Sequence, residues 1–201
     1  MNLTQLRRQF PALMQQVAGK SPIFLDGPGG SQVPQPVLSA MSAYLGYYNS
    51  NLGGAFFSSE KTVELMADAR QAAADLLNSP SRDQIVFGAN MTSLTFSFSR
   101  AISRDWQAGD EIIVTNADHF SNVSSWQQAA EDKGAKVNTV LINEADCSLD
   151  LAHFTSLLST KTKLVAVTYA SNTTGSINDI KRIVEMAHSV GALVYVDAVH
   201  Y

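Results

Sequence analysis

Apolar positions along this chain change period repeatedly, and each change marks an element. Residues 2–17 place Leu3, Leu6, Phe10, Leu13, Met14 and Val17 on a helical stripe, interrupted near Pro11. Residues 23–25 read as a short strand. The run Asp26-Gly-Pro-Gly-Gly-Ser31 that follows requires a tight irregular loop. Residues 34–48 are expected to be helical, with a proline at the start. A second loop rich in Gly, Asn and Ser covers 49–59. Residues 60–77 carry a stripe of Val63, Leu65, Met66, Ala69, Ala73, Leu76 and Leu77, which predicts a long helix ended by Asn78-Ser-Pro-Ser81.

From there strands and helices alternate. Strands are expected at 84–87, 111–115, 136–141, 163–169 and 193–196, and helices at 92–103, 122–133, 150–158 and 179–190. Ser148 is a candidate cap for the third of these helices. Apolar strands separated by helices imply βαβ crossovers. The fold class is therefore α/β, a three-layer α/β/α arrangement around a mostly parallel sheet. An N-terminal helical segment at 1–22 precedes one domain at 23–201, which is still alternating at its last residue.

Composition narrows this picture. Apolar residues make up 45% of the 201, enough for a substantial core, while charged residues make up only 16%. So little charge implies that part of the surface is covered, as by a partner subunit. A net charge of −4 gives no footprint for nucleic acid. The single cysteine, Cys147, excludes an internal disulfide framework and fits a reducing compartment. No apolar run reaches the roughly 18 residues of a membrane span. The polar N-terminus with Arg7 and Arg8 lacks the apolar segment of a signal peptide. A soluble cytoplasmic protein without a membrane partner is expected.

Candidate chemistry lies after the strands, because ligands of open α/β sheets bind off the carboxyl ends. Gly88-Ala-Asn-Met91-Thr92-Ser93 opens a helix, where free N–H groups and the helix dipole can cradle an anion. The alternative is that Thr92 or Asn90 is a plain cap. The stretch lacks the Gly-Lys-Ser/Thr of a Walker A loop. After the next strand comes His119, which could stack, move protons or sit idle in an exposed loop. No second His or Cys lies near it, which argues against metal. Ala170-Ser-Asn172-Thr-Thr-Gly175 is a polar cluster or a plain turn. Asp197 ends the last strand, as a site residue or a cap, with His200 beyond it. Together these put an anion cradle, an imidazole, an amide and a carboxylate on one sheet edge. That set suits a phosphorylated, nitrogen-containing aromatic cofactor, with the carboxylate keeping a ring nitrogen protonated.

These stretches, with Phe24-Leu-Asp-Gly-Pro-Gly-Gly-Ser-Gln32, Gly109-Asp-Glu-Ile-Ile-Val-Thr-Asn-Ala-Asp-His119 and Ala187-His-Ser-Val-Gly-Ala-Leu-Val-Tyr-Val-Asp197, run in an order that resembles the aminotransferase class V family of pyridoxal-phosphate enzymes. Within it the chain looks similar to the cysteine desulfurase and selenocysteine lyase branch. The resemblance implies the large domain of a fold type I enzyme, cut before its Schiff-base lysine. It implies that Met91 and Thr92 bind the phosphate, His119 stacks on the pyridine ring as the catalytic-site histidine, Asn172 reaches the ring oxygen, and Asp197 pairs with the pyridinium nitrogen. His200 takes the place of a residue that contacts the same ring oxygen. It further implies pyridoxal 5'-phosphate as cofactor, an amino-acid substrate and a homodimer.

The departures qualify the activity. The family's lysine lies well beyond the aspartate, and Lys181 precedes Asp197 inside a helix and does not match. The nucleophilic cysteine of desulfurases lies further on, and Cys147 does not align with it. The chain alone is therefore expected to be inactive and unable to hold the cofactor covalently. The loop Asn51-Leu-Gly-Gly-Ala-Phe-Phe57 lacks the His and Arg of the desulfurase branch, which puts cysteine as substrate in question. Two other readings stand beside this one: a non-catalytic interaction module derived from such an enzyme, and another class V activity such as an aminotransferase or epimerase. A nucleotide-binding Rossmann domain is disfavoured, since Gly27–Gly30 lacks the G-x-G-x-x-G spacing and a later acidic strand end.

Overall fold

The computed structural model describes residues 2–201. Its elements, in order, are α1 (Leu3–Arg7), α2 (Gln35–Tyr47), α3 (Phe57–Leu77), α4 (Met91–Ile102), β1 (Glu111–Thr115), α5 (Ser121–Glu131), β2 (Lys136–Val140), α6 (Leu151–Leu157), β3 (Thr162–Thr168), α7 (Ile180–Ser189) and β4 (Leu193–Asp197). The chain divides into two compact units, one ending at Phe87 and one running from Gly88 to Tyr201. The division expected at residue 22 falls inside the first unit, where the Gln35 amide donates to the Gln9 carbonyl at 2.7 Å.

The first unit contains α1, α2 and α3. The stripe expected over residues 2–17 forms only α1, capped by Asn2, and a 3-10 turn at Pro11–Met14; Pro11 interrupts the ladder. The strand expected at 23–25 does not form. A strand needs a hydrogen-bonded neighbour, and Ile23 and Leu25 are 82% and 90% exposed. The strand expected at 84–87 is likewise absent. Residues Arg82–Gln84 form a 3-10 turn, and the extended residues after it pair with no strand among the described residues.

The second unit is a four-stranded, all-parallel sheet in the order β2-β1-β3-β4. Alternating residues of each strand serve opposite faces. Ile113, Val165 and Val167 pack with Phe154 of α6 and with Ile183 and Ala187 of α7. Ile112, Val114, Leu164 and Ala166 pack with Trp126, Ala129 and Ala130 of α5. The result is a three-layer α/β/α unit, with α4 beside α5 on the same face, its Phe98 against Trp126 of α5 and Tyr195 of β4.

Right-handed crossovers explain which helix lies where. Stepping from β1 to β2 moves one way across the sheet; stepping from β2 over to β3, and on to β4, moves the other way. Hence α5 covers one face and α6 and α7 the other. The reversal lies between β1 and β3, and that is where an open α/β sheet offers a crevice to a ligand. Asp150 caps α6, its carboxylate accepting from the His153 amide at 2.9 Å, so the cap is Asp150 and not Ser148.

Candidate functional site

The reversal brings together the ends of β1, β3 and β4, and α4 adds its N-terminus within the same unit. At that terminus Asn90 is the cap, accepting from the Ser93 amide at 2.9 Å. Thr92 is thereby released from capping. Met91 and Thr92 are the first two helical residues, whose amides have no acceptor inside the helix. Gly88 permits the approach: a Cβ there would lie 2.5 Å from Leu94 Cδ2.

Thr92 does not stand alone. Its hydroxyl lies 2.9 Å from that of Ser121, the first residue of α5. The Ser121 amide donates to His119 Nδ1 at 3.2 Å. Ser121 therefore links the N-terminus of α4 to the imidazole, and its amide fixes the ring proton on Nε2. His119 itself is exposed, in the loop between β1 and α5.

Beneath that loop lies a group that periodicity does not single out. Asp118 is partly buried. One carboxylate oxygen accepts from the Thr115 hydroxyl, and the other from Asn122 Nδ2 at 2.6 Å. Asn122 Oδ1 in turn accepts from Trp126 Nε1 at 2.9 Å. Burial pushes the Asp118 carboxyl up to about 7, helped by the charge of Asp197 and opposed by the hydrogen bonds from Thr115, Asn122 and the Thr168 backbone.

Asp197 is the last residue of β4 and only 7% exposed. It pairs in register with Thr168, and its Oδ1 accepts from the Val199 amide at 3.0 Å. A carboxylate so placed can neutralise a cationic ring nitrogen. Asn172 is half-buried in the turn after β3. That turn is set by Ser171, whose hydroxyl accepts from the amides of Thr173 and Thr174 at 3.3 Å each, and by Gly175 at φ 72°. Asn178 Nδ2 ties the returning chain to the Thr168 carbonyl at 2.8 Å. His200 lies in the exposed turn beyond Asp197, placed there by chain proximity alone.

The structure thus gathers Met91, Thr92, His119, Asn172 and Asp197 in one unit. Thr115, Asp118, Ser121 and Asn122 escape the sequence reading. Their only trace is spacing: a Thr and an Asp at i and i+3 over a strand end, and an Asn one helical turn further. The fit to a phosphorylated pyridine is chemical: unpaired helix amides beside a hydroxyl, an imidazole with one nitrogen committed, and a buried carboxylate.

The family model described as Aminotransferase class-V matches residues 23–201. The chain is 34% identical to a probable cysteine desulfurase of Vibrio cholerae over 98% of its own length and 49% of the relative's. It is 37% identical to the aminotransferase-like protein FGM3 of Gibberella zeae, covering all of this chain and 49% of that one. Among solved structures, a cysteine desulfurase from Escherichia coli matches with a TM-score of 0.82 and 30% identity, over 98% of this chain and 48% of that one. The chain spans about half the length of the curated relatives it matches.

Proposed function

We propose, from the premise that the chain belongs to the aminotransferase class V family, that it forms the cofactor-holding half of a cytoplasmic pyridoxal-phosphate enzyme acting on an amino acid, of the cysteine desulfurase type. The observation that carries this reading is the Thr92–Ser121–His119 chain, because it joins an anion site to an imidazole across two separate elements.

Each residue then has a task. The Met91 and Thr92 amides and the Thr92 hydroxyl hold a phosphate, where the dipole of α4 favours negative charge. His119 would stack on the ring, its Nε2 carrying the proton. Asn172 offers its amide to the ring oxygen, with His200 as a second contact. Asp197 holds the proton on the ring nitrogen and so keeps the ring electron-poor. Pyridoxal phosphate, when bound, supplies the electron sink that weakens a bond at the α- or β-carbon of an amine substrate. Burial of Asp197 makes its partnership with a cation stronger than it would be in water.

A second reading, another class V activity, is favoured by the Gibberella relative and by the loop Asn51–Phe57, which lacks the expected His and Arg. Low charge and many exposed apolar side chains support a homodimer as the working form.

The experiment is a titration of the full chain with pyridoxal phosphate, followed by absorption and tryptophan fluorescence. Saturable binding is expected, weakened roughly tenfold or more by Thr92→Val and by Asp197→Ala. Absence of saturable binding, or affinity untouched by both substitutions, would overturn the reading.

A further inference from the structure

We propose that Asp118 is a positioning residue that braces the β1–α5 loop and thereby holds the His119 imidazole in one place and one tautomer at the rim of the crevice. The inference rests on the reading of His119 as the residue that faces the cofactor ring.

The loop has no core of its own. It is held instead by a chain of polar contacts that begins in the hydrophobic interior. Trp126, fully buried between α5 and the sheet, donates to Asn122, also fully buried. Asn122 donates to one oxygen of Asp118, and Thr115 at the end of β1 donates to the other. Thr115 Oγ1 also accepts from the Ala117 amide at 3.1 Å, and the Asn116 amide reaches the Val140 carbonyl of β2 at 3.0 Å. The Asn122 amide closes the loop on the His119 carbonyl at 2.8 Å. Every one of these contacts lies within three residues of His119 or passes through Asp118. The last link, from the Ser121 amide to His119 Nδ1, selects the tautomer, and it has the right geometry only while the loop keeps its path.

Placing a carboxyl here costs stability, since it is buried and faces Asp197 on β4. The other contacts come from Thr115, Asn122 and the Thr168 amide, none of which titrates. What the side chain supplies in return is two polar positions set at the angle the loop needs, one an acceptor for the Asn122 amide and the other against the Thr115 hydroxyl. Asparagine keeps the acceptor that meets Asn122 and places its NH2 against the Thr115 hydroxyl, which can accept as well as donate, as the neutral acid would with its O–H.

The test uses the full 201-residue chain in four forms: unaltered, Asp118→Ala, Asp118→Asn and Thr115→Val. The readouts are histidine ring-nitrogen NMR shifts, non-covalent pyridoxal phosphate affinity, and far-ultraviolet circular dichroism for the fold. Asp118→Asn is expected to keep the His119 tautomer and the affinity. Asp118→Ala is expected to keep the fold, to average the two ring nitrogens, and to lose roughly tenfold or more in affinity. Thr115→Val should shift both readouts the same way, by less. A folded Asp118→Ala chain with unchanged His119 shifts and affinity would overturn the brace, as would an Asp118→Asn chain that fails like the alanine. If the alanine variant does not fold, Thr115→Val decides: altered His119 shifts uphold the brace, unaltered ones defeat it. If the unaltered chain takes up no cofactor, the role given to His119 falls, while its tautomer in the variants still decides the brace.

Discussion

At the scale of single residues, burial acts most strongly on Asp118. Its carboxyl ionises at about 7 in the folded chain against 3.8 in the open one, so the native state binds the extra proton between those values. Stability contributed by this group is therefore lost as pH rises from about 4 to 7, the reverse of a salt-bridged aspartate. Asp118→Asn should flatten that part of the pH dependence. Urea unfolding at pH 5 and pH 8 checks it: the variant should gain on the unaltered chain at pH 8 relative to pH 5. Asp118 and Asp197 show why part of the site was hidden in the sequence. Asp197 could be read directly, as a carboxylate closing an apolar run. Asp118 sits in a loop, and its character comes from the neighbours that the strand order supplies, Asp197 among them. Ser121 was hidden for the same reason: its partner Thr92 belongs to another helix.

Among the elements, α4 depends on its cap. Asn90→Ala should cost about 1 kcal/mol of stability and fray the turn that carries Met91 and Thr92, seen as a lower denaturation midpoint. Phe154 of α6 is fully buried against the sheet, and Phe154→Ala should cost about 3–5 kcal/mol by the same measurement. From residue 88 onward, pattern reading placed each element to within a residue or two, because each strand there has a partner and each helix a sheet face. The segments at 23–25 and 84–87 have the same local composition and form no strand. Apolar alternation encodes a willingness to pair, and pairing is settled by what lies alongside. β4 shows the same rule from the other side. It pairs with β3 on one edge, it borders no other strand among the described residues, and Leu193 is 53% exposed. An open edge of this kind templates association. Leu193→Lys should reduce concentration-dependent light scattering without moving the unfolding midpoint by more than a few tenths of a kcal/mol.

For the whole molecule, the sequence reading expected one domain, and the contacts divide into two units at Phe87 and Gly88. Periodicity could not reveal that boundary, because the helices α3 and α4 on either side of it look alike as patterns. The family and the fold class were legible, since ordered motifs and the strand–helix alternation survive without coordinates. The placement of exposed apolar groups such as Phe56, Phe57 and Phe120 was not, because an apolar residue reads as core until its neighbours are known. The strand order also has a consequence in time. The hydroxyls of Thr95 and Tyr195 lie 2.9 Å apart though 100 residues separate them, and β3 pairs with β1 although α5, β2 and α6 lie between them in the chain. Contacts so distant along the chain form slowly, since a long loop must close before they repay it. Contacts that join α4 to β4 are therefore expected to slow the folding of the unit as a whole.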